Sequence, residues 1–457
     1  MEFNSEKYIN EYIERARDAQ TEYEKFTQEQ VDEVVKTIGK AVFDNAEELA
    51  ELAVEETGMG NYNDKVLKNK NKARMIWNDL RDKKSVGIIE RDKKTGITKI
   101  AKPMGVVAAI SPVTNPAVTP MGNAMCALKG RNAIIITPHH RAKESSTRTV
   151  DLINEAITKI GAPDNLIQIL DIQSRDNTRN LIANCDITIA TGGMGMVKAA
   201  YSSGKPALGV GAGNVQCIID DDADLDEAIP MIISGRTFDN GIICSGEQSI
   251  IVTEDRFDKV VDILIKNNTL VIINDEDVIK LRKAVFNDEG NINTHVIGQS
   301  VSTISKFADM EIPAGTKMIA VLADGPGKKD LLSKEKMCPV ITLFKSEDFR
   351  DSVEIARLNI EEEGKGHSVC IHSNNRDNIE YAGESLSVSR FIINQPCSLS
   401  AGGNFHNGLA ATNTLGCGSW GNNSFSDNLT YYHLINISKI ADFMPDNPVP
   451  GDEELWR

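Results

Sequence analysis

Short apolar segments alternate with segments of helical length between residues 105 and 200, and this alternation constrains the fold more than any other feature. Each apolar segment is too short for a helix and is rich in Val, Ile and Ala. Strands that alternate with helices in this way predict a parallel sheet with helices on both faces, whose ligands bind at the carboxyl ends of the strands. The predicted strands are GVVAAI (105–110), NAIIIT (132–137), LIQIL (166–170) and ITIATGG (187–193).

A second alternation of strands and helices runs from Asp224 to about residue 415. Between the two alternations the glycine-rich stretch ALGVGAGNVQCIID (207–220) interrupts the pattern, and we therefore expect a domain boundary near residue 220. The first 80 residues have apolar residues at helical spacing, and the segment 29–60 ends in the helix stop Gly-Met-Gly. The chain is thus predicted to be an α/β protein with two parallel sheets.

Two β-prone segments lie outside these alternations. GIIERDKKTGITKIAKP (87–103) has two such runs around Lys-Lys-Thr-Gly and is interpreted as a hairpin. LTYYHLINISKIADF (429–443) is apolar at alternate positions, as in a strand. A terminal strand of this kind often pairs beyond its own domain.

The charge balance excludes several classes of partner. The 457 residues carry a net charge of −16 with a pI near 5.0, which argues against binding to nucleic acid or to an anionic membrane and suits a metabolic enzyme. No run of 18 apolar residues and no signal peptide are found in the sequence. We expect a cytoplasmic protein that acts on small molecules.

Eight cysteines are present, and their spacing predicts neither a disulfide framework nor a metal site. No two form a C-x-x-C motif, and none is grouped with a histidine as in zinc sites. Cys244 in NGIICSGEQS (240–249) differs from the others because small residues on both sides leave room for a substrate. The residues alone leave open whether Cys244 is a reactive thiol or a buried structural one.

The stretch ATGGMGMVKAA (190–200) follows a predicted strand and opens a helix. Its glycines allow close approach of the backbone, and the free N–H groups of a helix N-terminus bind anions such as a pyrophosphate. The spacing is not Gly-x-Gly-x-x-Gly, so an ordinary strand-to-helix connection fits the residues equally well.

Asn115 in ISPVTNPAVTP (110–120) is held extended by Pro116 at the end of a predicted strand. A rigid amide in that place is suited to stabilise a developing oxyanion, although a turn-forming Asn-Pro also explains the residues.

Three further segments allow both a functional and a structural interpretation. His367 and His372 are five residues apart on a predicted strand and therefore face opposite sides, which argues against shared metal ligation. Glu335 precedes a Cys-Pro turn and fits a solvated surface charge. The Lys-rich segment 64–74 fits a solvated helix face, yet one of its lysines is suited to meet a carboxylate ligand.

The order of these motifs resembles the aldehyde dehydrogenase superfamily across nearly the whole chain. An Asn-Pro after a strand is followed by a strand ending in Thr-Pro, TGG at a helix start, a glycine-rich strand, the cysteine and Glu-x-Met-x-Pro-Val. GIICSGEQS and LGCGSWGNNS resemble the CoA-acylating branch. Within that branch the chain is similar to the acylating succinate-semialdehyde dehydrogenases, or succinyl-CoA reductases, of clostridia.

This resemblance implies an aldehyde dehydrogenase-like fold with two Rossmann-type domains and a β oligomerisation arm. The implied nucleotide-binding domain comprises residues 1–86 and 104–220, and the catalytic domain residues 221–425. The arm would comprise the hairpin 87–103 and the tail strand 429–443. A homodimer or a dimer of dimers is expected.

The resemblance also implies catalytic roles. Cys244 would be the nucleophile, and Asn115 with the backbone N–H of Cys244 would form the oxyanion hole. His367 is a candidate for handling the proton of the CoA thiol. For a succinyl substrate, Lys72 would meet the distal carboxylate and Ser245 would add a hydrogen bond.

The cofactor is expected to be NADP or NAD, with coenzyme A as co-substrate. Glu335 would hold the ribose of the nicotinamide half, and Met337 stands where the family often has Phe. The residues implied to border the cofactor are Ser111, Pro112, Thr137, Pro138, His139, His140, Thr191, Gly192, Gly193, Val210, Glu335 and Met337.

Two departures from the family pattern carry information. Hydrolytic members have a glutamate that activates the deacylating water, whereas the matching stretch here is VGAGN (210–214), with Val210 in its place. Without that base a thiol is the better acyl acceptor. Near the adenosine ribose, Thr137 and His140 stand where NAD-binding members often have Lys and Glu, so a 2′-phosphate is not repelled and NADP is slightly favoured.

The predicted reaction is the reversible reduction of succinyl-CoA to succinate semialdehyde and CoA by NAD(P)H, through a thioester on Cys244. Three alternatives remain at this point. They are an acylating dehydrogenase for a neutral aldehyde such as acetaldehyde or butyraldehyde, a CoA-independent aldehyde dehydrogenase, and an inactive homologue.

Overall fold

Helices and strands alternate along the computed structural model, which describes residues 3–192 and 194–457. Within these residues no helix is both long and apolar enough to cross a membrane. The α-helices are α1 Ser5–Tyr23, α2 Gln28–Asp44, α3 Ala46–Thr57, α4 Tyr62–Leu80, α5 Val118–Lys129, α6 Lys143–Thr158, α7 Arg175–Asn184, α8 Met194–Tyr201, α9 Leu225–Thr237, α10 Glu254–Lys266, α11 Asp275–Val285, α12 Val301–Phe307, α13 Phe349–Glu362, α14 Arg376–Ser385, α15 Cys397–Ser400 and α16 Asp452–Leu455. The strands are β1 Gly87–Asp92, β2 Ile97–Pro103, β3 Val106–Ile110, β4 Ala133–Thr137, β5 Ile167–Ile169, β6 Ile187–Ala190, β7 Ala207–Gly209, β8 Val215–Ile219, β9 Glu247–Thr253, β10 Thr269–Ile272, β11 Met318–Leu322, β12 Val340–Ser346, β13 Gly366–His372, β14 Val388–Ile393 and β15 Ile435–Ala441.

The first sheet contains the four strands predicted after residue 105, with β7 added. Its order is β5-β4-β3-β6-β7, and every neighbouring pair is parallel. β3 and β4 are buried at every position, which explains why their sequences are continuous apolar runs. Helices α1, α5 and α6 pack on this sheet, and α2 and α4 pack on α5.

The second sheet is also parallel, in the order β10-β11-β12-β9-β8-β13-β14. β8, with the sequence VQCII, is a fully buried member of this sheet. The chain therefore passes from one sheet to the other between Gly209 and Val215. The apolar end of the glycine-rich stretch forms this strand, and the domain boundary near residue 220, just beyond it, stays a prediction.

A third, antiparallel sheet has the order β1-β2-β15. The predicted hairpin supplies β1 and β2, and the predicted tail strand supplies β15 over Ile435–Ala441 only. The start of the predicted tail is a 3₁₀ turn at Tyr431–Leu434, because Thr430 caps it: its hydroxyl accepts from the Tyr432 N–H at 3.3 Å.

A short linker joins the two parallel sheets. Five residues, 210–214, join the carboxyl end of β7 to the amino end of β8. In this linker a Cβ at Gly213 would lie 2.0 Å from the carbonyl oxygen of Cys244, so only a glycine fits there. Ser111, Thr191 and Val210 follow strands of the first sheet, whereas Cys244, Glu335 and Met337 precede strands of the second.

Candidate active site

Cys244 lies in a tight loop between α9 and β9, and a buried arginine holds both ends of this loop. The guanidinium of Arg236, which is fully buried, donates to the Gly241 carbonyl at 2.8 Å and to the Glu247 carbonyl at 3.1 Å. Its Nε donates to the Cys338 carbonyl at 2.8 Å. Five donors in a rigid fork suit this task, so the backbone around the thiol is fixed before any ligand binds.

Cys244 is the half-buried member of the eight cysteines, and the other seven are buried. Burial raises the pKa of its thiol to about 12, and the nearby Glu335 and Cys417 raise it further than Arg390 lowers it. At neutral pH the thiol of the free protein is therefore protonated. A reaction that uses the thiolate must offset the cost of burying that charge.

Asn115 lies just beyond β3, and its amide is oriented by a lysine of α4. The ammonium of Lys68 donates to Asn115 Oδ1 at 2.8 Å, and Asn115 Nδ2 donates to Thr114 Oγ1 at 3.1 Å. A lysine ammonium can only donate, so the amide oxygen must face Lys68 and the NH₂ group must face away. One of the two Nδ2 hydrogens has no partner among the described residues and is free for a ligand.

Glu335 and Cys244 lie against the same glycine of the linker. A Cβ at Gly213 would be 3.3 Å from Glu335 Oε1 as well as close to the Cys244 carbonyl. Glu335 Oε1 is buried and has no hydrogen-bond partner within the described residues. Burial and the neighbouring Glu363 raise the pKa of this carboxyl to about 8. An orphaned buried acceptor beside the nucleophile fits a ligand hydroxyl such as that of a ribose.

Met337, two residues further on, has a positive φ of 44°. Its carbonyl accepts from the Gly298 N–H at 2.9 Å. This conformation is uncommon for a residue other than glycine, and it turns the chain sharply between Glu335 and β12.

Several of the candidate cofactor residues lie at the carboxyl edge of the first sheet. Backbone bonds continue the sheet beyond its strands: Ser111 N–H donates to the Thr137 carbonyl at 3.1 Å and Thr191 N–H to the Ile110 carbonyl at 3.1 Å. The strand order reverses between β3 and β6, so Ser111, Pro112, Thr191 and Gly192 flank the point where ligands of such sheets bind.

This edge has room and unused polar groups for a nucleotide. Ser111 Oγ is buried without a partner among the described residues, and a Cβ at Gly192 would meet no atom within 4 Å. Gly193, also predicted to border the pyrophosphate, lies outside the described residues. Val210 follows β7, is buried, and donates its N–H to the Ala190 carbonyl at 3.2 Å.

Thr137 and Pro138 are buried at the end of β4, and two histidines follow them. The rings of His139 and His140 stack with centroids 4.2 Å apart. Burial lowers the pKa of His139, and His140 and Arg141 lower it further. Arg141 is exposed next to these rings, and sequence reasoning missed it although it directly follows the histidine pair.

His367 is the second residue of β13 and is completely buried. Neither ring nitrogen has a partner in the described part of the chain, and burial together with Arg390 lowers the pKa of the ring to about 3. Arg390 donates to the His367 carbonyl at 2.9 Å. No hydrogen bond of the described residues joins His367 to Cys244, so its role in proton transfer stays a prediction.

Lys72 shares α4 with two other cations, Lys70 and Arg74, and the structure gives the three different surroundings. Lys72 donates to the carbonyls of Gly402 at 3.1 Å and Thr412 at 3.0 Å. Burial lowers the pKa of Lys72 to about 8, with Cys244 raising it and Lys68 lowering it, so both groups lie near its ammonium.

Lys70 instead pairs with Glu47 at 2.5 Å, and the exposed Arg74 lies over the Phe405 ring. Ser245, the residue after the nucleophile, is buried. Lys72, which bonds the Gly402 and Thr412 carbonyls and whose pKa Cys244 raises, therefore stays the candidate for the substrate carboxylate.

Three structurally important cations escaped sequence reasoning. Lys68 looks like one more solvated lysine in a Lys-rich segment. Arg236 and Arg390, which the structure buries, each stand alone in an apolar run. An arginine isolated among apolar residues is the signal that could have revealed them, since such a charge must be satisfied internally.

A buried thiol-imidazole cluster was also not visible from spacing. Cys217 and Cys370 face each other across β8 and β13, and His372 lies two residues beyond Cys370 on the same face. The candidate ligand atoms of these three buried residues all lie within 4.8 Å of one another. Their separation in sequence, rather than their chemistry, hides the group from a spacing rule.

Comparison with known proteins agrees with this geometry. A succinate-semialdehyde dehydrogenase (acetylating) of Clostridium kluyveri is 51% identical over 453 residues, covering 99% of this chain and 100% of the relative. A sulfoacetaldehyde dehydrogenase of Acholeplasma sp. is 41% identical over 452 residues, covering 98% of this chain and 93% of the relative.

Solved structures show the same fold. An acetylating aldehyde dehydrogenase from Geobacillus thermoglucosidasius superposes with a TM-score of 0.93 at 36% identity, covering 98% of each chain. A propionaldehyde dehydrogenase of Rhodopseudomonas palustris with bound propionyl-CoA gives a TM-score of 0.86 at 27% identity, covering 95% of this chain and 94% of that one.

The expected α/β architecture with two parallel sheets is thus confirmed. The profile of the aldehyde dehydrogenase family matches residues 2–414, and this chain belongs to that family.

Proposed function

We propose that this chain is a CoA-acylating aldehyde dehydrogenase that reduces succinyl-CoA to succinate semialdehyde and CoA with NAD(P)H, and that it also catalyses the reverse reaction. The observation that carries the proposal is the linker 210–214, which packs against Cys244 and presents no carboxylate to it. The acylating relatives in the same family support the same conclusion.

The choice of thiol over water as acyl acceptor follows from this linker. Val210 replaces a base and is buried, and Gly213 contacts the nucleophile loop. The side chain of Asn214 is engaged elsewhere, since its amide donates to the carbonyls of Ser333 at 2.9 Å and Asn359 at 3.3 Å. A thioester on Cys244 is therefore not hydrolysed quickly, and an incoming thiol releases it.

In the reducing direction the Cys244 thiolate attacks the thioester carbonyl of the acyl-CoA. Asn115 Nδ2 and the Cys244 N–H donate to the oxyanion, whose collapse expels the CoA thiolate, which then takes up a proton. The acyl group remains as a thioester on Cys244. After reduction of the acyl carbon, the new oxyanion in the same hole collapses, the carbon–sulfur bond to Cys244 breaks, and the aldehyde leaves with the thiolate restored.

The reduced nicotinamide supplies the hydride when it is bound. Glu335 would hold its ribose, and Ser111, Thr191 and Gly192 would border the pyrophosphate. NADP is slightly favoured because the exposed Arg141 and the His139–His140 pair offer positive or neutral groups, and no carboxylate, in the segment after β4.

Specificity for a succinyl group is supported by the surroundings of Lys72. Its ammonium donates to two backbone carbonyls, which leaves one of three N–H groups for a substrate carboxylate. Ser245 would add a hydrogen bond near the reacting end. A neutral short-chain aldehyde would leave this partly buried cation without an anionic partner.

The proposed arm supports a dimer or a dimer of dimers. β15 ends near Ile440, which is half-exposed, and Phe443 beyond it is 89% exposed. Apolar side chains that remain exposed beside a sheet edge suit contact with a second copy.

One spectrophotometric assay tests the function. Oxidation of NADPH, and then of NADH, is followed by the loss of absorbance of the reduced nicotinamide. The reaction is run with succinyl-CoA, with acetyl-CoA and without an acyl-CoA. Rapid oxidation with succinyl-CoA that is lost in Cys244→Ala supports the proposal. Substantial activity in Cys244→Ala, or acid production from succinate semialdehyde without CoA, would refute it.

A further inference from the structure

We propose that Lys68 is a positioning residue that sets the orientation of Asn115 and ties it to the loop carrying Cys244. This inference rests on the proposed function, because it concerns the oxyanion hole of the same reaction. The inference goes beyond the proposed function because it names the residue that positions the donors of the oxyanion hole.

The first observation is that Lys68 bridges two groups from different parts of the chain. Its ammonium donates to Asn115 Oδ1 at 2.8 Å and to the carboxylate of Asp239. Lys68 is 7% exposed and Asp239 is fully buried, so solvent competes little with the bond between them, and the bond to Asn115 is partly buried. Since the ammonium has no acceptor, it forces the Nδ2 group of Asn115 to the side away from itself.

The second observation is that Asp239 is rigidly placed just ahead of the nucleophile. Asp239, Asn240 and Gly241 all have positive φ angles, of 51°, 53° and 70°. The Asp239 N–H donates to Asp64 Oδ2 at 2.8 Å, and the Asn61 N–H donates to Asp239 Oδ1 at 3.0 Å. The strained turn before Cys244 is therefore clamped to the first residues of α4.

These two observations together connect both proposed donors of the oxyanion hole through one network of hydrogen bonds and ion pairs. Asn115 is held by Lys68, Lys68 is held by Asp239, and Asp239 begins the loop whose backbone N–H at Cys244 is the second donor. An oxyanion hole works only when its donors are preorganised at the correct separation. Lys68 is the residue that fixes this separation across the two sheets.

Lys65 offers a matched control for the charge of this cluster. It pairs with the same carboxylate, 3.1 Å from Asp239 Oδ2, but no hydrogen bond joins it to Asn115 among the described residues. Removal of Lys68 thus leaves Asp239 with one ion pair, and removal of Lys65 leaves the Asn115 contact in place.

The experiment is a double-mutant cycle between Lys68→Met and Asn115→Ala, read on the acylation of Cys244. The acyl donor is p-nitrophenyl acetate, and the burst of nitrophenolate is measured by stopped flow, so neither CoA nor succinyl recognition enters. We expect Lys68→Met to slow the burst by about tenfold to a hundredfold in the wild-type background, somewhat less than the loss of an oxyanion donor. In the Asn115→Ala background, Lys68→Met should slow the burst by less than about twofold, because Asn115, the residue through which Lys68 acts, is already gone.

A merely structural role predicts a different pattern. Under the inference, the control Lys65→Met should change the rate of the burst by the same factor with and without Asn115. The nucleotide Kd of Lys68→Met should match that of the wild type. Equal factors for Lys68→Met in both backgrounds, or no slowing in the wild-type background, would overturn the inference. If Lys68→Met does not fold, Lys68→Ala, which also removes the donor to Asn115, replaces it in the cycle with the same two outcomes. Failure of the succinyl-CoA assay with an intact burst would refute only the proposed substrate.

Discussion

Replacing Lys72 by Met should remove the preference for a succinyl group while leaving the chemistry at Cys244 intact. Met keeps the length and apolar stem of the lysine but removes the ammonium that lies near the nucleophile. The third N–H of that ammonium is the group available for the distal carboxylate, since the other two bond Gly402 and Thr412.

The size of the effect follows from a single charge-assisted hydrogen bond. Such a bond contributes about 1.5–3 kcal/mol when it is shielded from water. Because about 1.4 kcal/mol corresponds to a factor of ten, kcat/KM for succinyl-CoA should fall by about tenfold to 150-fold. The variant also loses the hydrogen bonds from Lys72 to the two backbone carbonyls, and this loss affects the reactions of both substrates equally. The ratio of kcat/KM for succinyl-CoA to that for acetyl-CoA therefore isolates the carboxylate contact.

The assay measures that ratio in wild type, Lys72→Met and Lys70→Met. Lys70 lies on the same helix but pairs with Glu47 at the surface, so its replacement should leave the ratio unchanged. An equal loss for both acyl-CoAs in Lys72→Met would refute the assignment, because it would show that Lys72 acts only through the backbone it holds.

The remaining predictions concern pH, the thiol and the arm. Since the pKa of Lys72 lies near 8, its charge is lost as pH rises through that value, and KM should increase above pH 8 for succinyl-CoA but not for acetyl-CoA in steady-state kinetics. Because the pKa of Cys244 is raised to about 12, its alkylation by iodoacetamide should accelerate about tenfold per pH unit from pH 7 to 9; a plateau within that range would contradict the assigned surroundings. Glu335→Gln should speed that alkylation at pH 9, where the wild-type carboxylate is ionised and raises the thiol pKa, and unchanged or slower alkylation would show that its charge does not reach Cys244. Phe443→Lys should lower the oligomeric mass measured by light scattering, whereas Ile273→Lys, at an exposed site outside the arm, should not; a wild-type mass in Phe443→Lys would remove the arm from the interface.

The sequence was a good guide to the sheets because their strands are continuous apolar runs with glycine or proline at their ends. It was a poorer guide to the passage between sheets, since VQCII follows glycines that equally fit the end of a domain. The tail strand was predicted too long because alternating apolar residues before Ile435 form a capped turn instead.

The candidate site was predicted in part. The motif order pointed to Cys244, Asn115 and Glu335, of which Cys244 and Glu335 lie against the same linker glycine, Gly213. The charged groups that support them could not be found in this way. Lys68 and Asp239 are separated by 171 residues, and their pairing depends on how α4 meets the second sheet. Spacing rules detect groups on one element, whereas this support is built from several.

The central claim is that Cys244 carries the acyl group between CoA and the nicotinamide. It is tested most directly by intact-protein mass spectrometry after incubation with succinyl-CoA in the absence of any reduced nicotinamide. We predict one succinyl group per chain, located on Cys244 by peptide mapping, with an equivalent amount of free CoA released and no adduct in Cys244→Ala. An adduct that persists in Cys244→Ala, or release of succinate in place of a stable adduct, would contradict the claim.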